Sequence, residues 1–175
     1  NDRDNPLYSQ VYFTATKKGN LALIQKVNEG LKAIGHEERK LLEGRWIVRD
    51  FEESPQETAA TRSEQEKIVL TDAEKKWLDA HPVIRVHNEK DWPPFNYFEY
   101  GKPRGLSIDY MNLVAERLGI KVEYVTGPSW NEFLEMVKRK ELDVMLNIVK
   151  TEDRMKYLLY TEPYIKNPNA IVSSQ

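Results

Sequence analysis

The chain has 175 residues, 40% of them hydrophobic and 31% charged, with 26 basic against 28 acidic side chains and no cysteine. That size and balance suit one well-buried soluble domain, or a domain with an attached segment. A near-neutral charge without a basic block argues against nucleic acid as a partner, and zero cysteines exclude a disulfide framework and thiolate metal sites.

Residues 8–16, YSQVYFTAT, are aromatic and β-branched and predict a strand, which Lys17-Lys18-Gly19-Asn20 breaks. Leu21, Ile24, Val27, Leu31 and Ile34 then recur at three- and four-residue steps, the mark of an amphipathic helix that Gly35 can end. A second short helix follows, with Glu37 and Glu38 in its first turn and Leu41, Leu42 and Trp46 on one side. A helix pair this short needs a partner surface for its apolar stripes. From Arg49 to Lys67 the chain turns polar and charged, which predicts a linker.

Thr71 and Glu74 have capping-box spacing for a helix that Pro82 ends. Val83, Ile84 and Val86 predict the next strand, and Pro93, Pro94 and Gly101 then force irregular backbone or a short hairpin. Gly105 opens a helix carrying Ile108, Met111, Leu113, Val114 and Leu118, which Gly119 closes. IKVEYVTG alternates as a strand, and Ser129 with Glu132 makes a second capping box. Val144, Met145, Leu146 and Ile148 form a buried strand, followed by a helix from Thr151, a strand near Leu158–Tyr160 and the terminal NAIVSS. Strands alternating with helices from residue 83 onward predict an α/β fold with a largely parallel sheet.

In such sheets ligands bind beyond the carboxyl ends of the strands. Trp92 and Phe95 follow one strand end, and Asn147 to Arg154 follow another, so they can face one crevice. Thr151 stands at an N-cap position with Glu152 and Asp153 behind it, and Arg154 lies one turn in. That places an arginine beside a helix N-terminus, a site suited to a carboxylate or other anion. The competing reading is a surface arginine paired with Glu152 or Glu162. Asp109 reads as a first-turn residue stabilised by its helix. His36, His81 and His87 lack metal-ligand spacing, so no metal or cofactor is expected. His87 sits just past a strand, where a pH-sensing role is one option and an ordinary partly exposed histidine the other.

The ordered motifs DWPPF (91–95), GLSIDY (105–110), DVMLNIVKTEDR (143–154) and YTEPY (160–164) resemble the first lobe of bacterial extracellular solute-binding proteins of family 3. The resemblance is to the Venus-flytrap sensor modules of membrane-bound histidine kinases. It implies a periplasmic-binding-protein-like (type II) lobe, a mostly parallel sheet flanked by helices, over residues 71–175. VYFTATKKGNLALIQKVNEGLKAIGHEERKLLEGRWI is similar to the end of another such module. Residues 1–47 are therefore expected to be a flytrap tail, with 48–70 as linker. The tail is expected to pack on this chain's own lobe or, in a swapped dimer, on a neighbour's.

In that family the arginine of a T-x-x-R motif grips a ligand carboxylate, which implies ligand contacts for Thr151 and Arg154. The resemblance also implies ligand-facing rings at Trp92 and Trp130, a polar contact at Asn147, a wall residue at Phe95 and a contact to a ligand amine at Glu89. The interval from Asp143 to Arg154 is one residue shorter than in transport-type binders, and Lys150 replaces a small or apolar residue. Both features resemble the sensor branch, and they leave an α-amino acid and another small carboxylate equally open. The implied function is an extracytoplasmic ligand-binding part of an inner-membrane signalling receptor in a two-component system. The alternatives are a free binding protein of an ABC transporter, or an enzyme of the dehydratase or lytic-transglycosylase kind. No nucleophile motif, metal cluster or carboxylate pair supports the enzyme, so no catalytic residue is expected. The chain also begins at NDRDNPLYSQ, without an initiating Met or a visible signal peptide, which suggests a segment of something larger.

Overall fold

The computed structural model describes residues 8–47 and 71–169. Strand β1 (Tyr8–Lys17) leads to helices α1 (Leu21–Ala33) and α2 (His36–Trp46). Helix α3 (Asp72–Ala80) precedes β2 (Val83–Asn88), the hairpin β3 (Tyr97–Glu99) and β4 (Lys102–Arg104), and α4 (Leu106–Leu118). Then come β5 (Lys121–Thr126), α5 (Trp130–Arg139), β6 (Met145–Ile148), α6 (Glu152–Met155), β7 (Leu158–Tyr160) and β8 (Ile165–Asn169). The expected linker lies outside the described residues, as do residues 170–174 of the expected terminal segment and the side chain of Glu74. The Ser129–Glu132 capping box forms in both directions.

Strand β2 pairs in parallel with β5, and Val86 bridges in parallel to Val144 at the start of β6. Strand β1 lies antiparallel between β6 on one side and β7 and β8 on the other. The other five strands of this layer therefore run one way, and the segment near the N-terminus fills a slot among them against their direction. With period-two alternation, one face of β1 directs Tyr12 to the core shared with α1 and α4. The other directs Phe13 and Ala15 to the core under α5, with Phe133, Val137, Met145, Ile148 and Leu158. Both faces of the strand are covered by helices.

The helical stripe finds its partner within the chain only in part: Leu21 of α1 and Leu41 of α2 are exposed, and Leu23 is buried in addition to the expected residues. Leu23, Val27, Leu31 and Ile34 are buried with Met111, Val114 and Leu118 of α4. The approach is close at Gly30, where an added Cβ would stand 2.8 Å from a Val114 methyl. Asp109 gains partners beyond its helix: it accepts from Trp46 Nε1 at 2.8 Å and from Arg45 at 3.1 Å, tying α2 to α4.

Candidate functional site

Beyond the carboxyl ends of β2 and β6 lies a cleft of about 390 Å³ lined by Gln10, Tyr12, Trp92, Trp130, Asn147, Val149, Thr151 and Arg154. Four devices build it. The turn carrying Trp92 is held against the start of α4, where the N–H groups of Leu106 and Ser107 donate to the carbonyls of Pro94 and Phe95, both at 2.9 Å. Gly105 permits this approach: its φ is +121°, and a Cβ there would lie 2.3 Å from the Phe95 carbonyl oxygen. Trp130 opens α5 directly after its N-cap, Ser129. Asn147, next to last in β6, takes a left-handed conformation, φ +53°, and lines the cleft. Strand β1 contributes Gln10 and Tyr12 from the same face.

Arg154 carries the cleft's positive charge. Its guanidinium donates to the Val149 carbonyl at 3.1 Å and stands 5.4 Å from the centre of the Trp130 ring. Thr151 caps the turn by accepting the Arg154 N–H at 3.3 Å. Neither acid considered from sequence pairs with Arg154: Glu162 instead pairs with Lys32 at 2.6 Å. The helix-terminus reading does need correction. Helix α6 has only four residues, because the chain returns to the sheet at Leu158, so it carries no useful dipole. The attraction for an anion comes from the guanidinium itself. Lys150 leaves the cleft altogether and lies 4.8 Å over Phe13 and 5.4 Å over Tyr160.

Asn147 is 1% exposed, and its side chain is held by its oxygen. That oxygen accepts from the hydroxyl of Tyr164 at 2.9 Å and from the hydroxyl of Ser107. Burial pushes the Tyr164 hydroxyl up to about 12, keeping it a neutral donor. The Asn147 Nδ2 group is buried with no partner. A buried amide left with free donors is costly unless something accepts from it.

Phe95 and Glu89 stand outside the lining. Phe95 packs behind the wall, its ring 5.3 Å from Tyr12 and 6.0 Å from Trp92. Glu89 accepts from His87 Nε2 at 3.1 Å, and so holds a histidine rather than facing the cleft. His87 is fully buried, not partly exposed. Its Nδ1 accepts the Leu146 N–H at 3.2 Å, which places the ring proton on Nε2. Burial lowers its pKa, against smaller opposing effects of the Glu89 hydrogen bond and charge. Gln10, Tyr12 and Val149 were not expected from sequence. Among the described residues no group of acids and histidines is placed to hold a metal, and no helix is long and apolar enough to cross a membrane.

The α/β architecture and an aromatic cleft lined by an arginine define a small-molecule-binding lobe. Residues 84–175 match the bacterial extracellular solute-binding proteins of family 3, and the chain belongs to that family. It is 23% identical over 164 residues to the sensor protein EvgS of Escherichia coli O157:H7, covering 93% of this chain and 13% of that protein. It is 26% identical over 162 residues to the virulence sensor protein BvgS of Bordetella pertussis, covering 89% of this chain and 12% of that protein. The chain thus spans about an eighth of each relative. The crystal structure of a double mutant of the BvgS VFT2 domain matches with a TM-score of 0.40 and 24% identity, over 43% of this chain and 32% of that one.

Proposed function

We propose that this chain is the ligand-binding first lobe of a flytrap sensor module in a membrane-anchored, periplasm-facing histidine kinase, and that it takes a small carboxylate-bearing molecule. The observation that carries this reading is Arg154, set in the cleft over Trp130 with no acidic partner among the described residues. A carboxylate fits the guanidinium, and the rings of Trp92 and Trp130 suit a flat or apolar body. Similarity to EvgS and BvgS across most of the chain favours a sensor over a transport protein. Residues 8–47 are read as the tail of a preceding module seated on this lobe.

One lobe leaves a ligand half exposed, whereas small-molecule sites bury about 70–90% of it. A second lobe would complete the site, and closure of the two around the ligand would shift the receptor's population between states. A thermal-shift screen of the intact two-lobe module against amino acids, dicarboxylates and aromatic acids tests the reading. A carboxylate should stabilise the wild type and not Arg154→Ala. Equal stabilisation of both would refute the role of Arg154.

A further inference from the structure

Gln10 lies outside the residues that match the family, 84–175, yet it lines the same cleft as Arg154. Its place is set by pairing: Gln10 faces Asn167 and Tyr12 faces Ile165 on β8, while Phe13 faces Ile148 on β6. Strand alternation then puts Gln10 and Tyr12 on the face that meets Trp92.

Several acceptors around the cleft already hold a donor of this chain. The Gln10 side-chain oxygen accepts from Tyr12 at 3.3 Å. The Asn147 oxygen accepts from Ser107 and Tyr164, the Val149 carbonyl from Arg154, and the Thr151 hydroxyl oxygen from the Arg154 N–H. Donors with no partner in this chain stand beside them: the N–H2 groups of Gln10 and Asn147, the remaining guanidinium N–H groups, and the Thr151 O–H. The Asn147 donor is both buried and unpartnered. Donors placed together in this way match a group rich in lone pairs.

We propose that Gln10 is a ligand contact that helps determine specificity, its amide N–H2 joining Asn147 and Arg154 around a carboxylate, so that the seated strand β1 is part of the binding site. This rests on the reading of the cleft as a carboxylate site. It makes the site composite, built from two stretches of chain on either side of residues 48–70.

The test is an NMR titration of the full ¹⁵N-labelled chain with sodium benzoate, using benzamide as the neutral control. In the wild type, benzoate should shift the side-chain N–H2 signals of Gln10 and Asn147 and the indole signals of Trp92 and Trp130, with benzamide well behind. Gln10→Leu, which deletes the donor, should weaken benzoate binding by about threefold to tenfold. Gln10→Glu, which adds a negative charge, should weaken it by about tenfold or more. The wild-type Gln10 N–H2 shift needs no variant, so the proposal stays testable even where a variant unseats β1. Binding that depends on Arg154 but leaves the Gln10 N–H2 signal unmoved, or is unchanged in both Gln10 variants, overturns the Gln10 assignment alone. Binding that is absent, or equal in Arg154→Ala, overturns the carboxylate reading and Gln10's role with it.

Discussion

Gly30→Ala probes whether α1 belongs to the lobe core. The new methyl would sit 2.8 Å from one Val114 γ-carbon and 3.2 Å from the other. Val114 is fully buried and stiff about its single side-chain torsion, so it cannot swing aside. Overpacking of this kind costs about 1–3 kcal/mol, and replacing glycine in a helix returns about 1 kcal/mol. The net expectation is a loss of about 0–2 kcal/mol. Val114→Ala alone removes buried carbons from the same contact and should cost about 1–3 kcal/mol. In the double variant the methyl introduced by Gly30→Ala occupies space that valine gave up, so the two changes should couple by about 1–2 kcal/mol. Urea unfolding of the four proteins at 25 °C measures this directly. Additive effects would refute the packing of α1 on α4.

Three further outcomes follow from the same structure. Amide hydrogen exchange should find residues 21–46 protected as strongly as α4, and free exchange there would contradict their burial. The isolated chain should bind no small carboxylate at submicromolar affinity, because one lobe cannot enclose it; calorimetry giving a tighter constant would refute the half-site account. His87 is held neutral, its folded pKa lying below the ordinary 6.5 because burial disfavours the charged ring. Its contribution is therefore fully present above about pH 6.5 and is lost as pH falls, at up to about 1.4 kcal/mol per pH unit. Melting curves between pH 5 and 8 should show a steeper acid-side loss for wild type than for His87→Gln, and equal slopes would refute this.

Much of the fold was legible because its signals are local. The 3.6-residue stripe of α1, the Gly105 and Gly119 boundaries of α4 and the Ser129–Glu132 box all involve residues within a turn or two of each other. Trp92, Asn147, Thr151 and Arg154 were legible through motifs that sit at strand ends, and Trp130 through the family resemblance alone. Gln10 and Tyr12 were not, because their exposure to the cleft depends on which slot of the sheet β1 enters, a matter of long-range pairing. Ser107 and Tyr164 lay in quoted motifs, but nothing in either motif signals that both hydroxyls converge on Asn147. The shortness of α6 was hidden for a related reason. Its capping residue is a local signal, while its end is set by Leu158 rejoining the sheet.

The central claim is that Arg154 holds a ligand carboxylate. Titration calorimetry of the intact two-lobe module with its best carboxylate ligand, wild type against Arg154→Ala, tests it most directly. A charged hydrogen bond contributes about 1.5–3 kcal/mol, so affinity should fall by about tenfold to a hundredfold or more. An affinity within about twofold of wild type, with the fold intact, would contradict the claim.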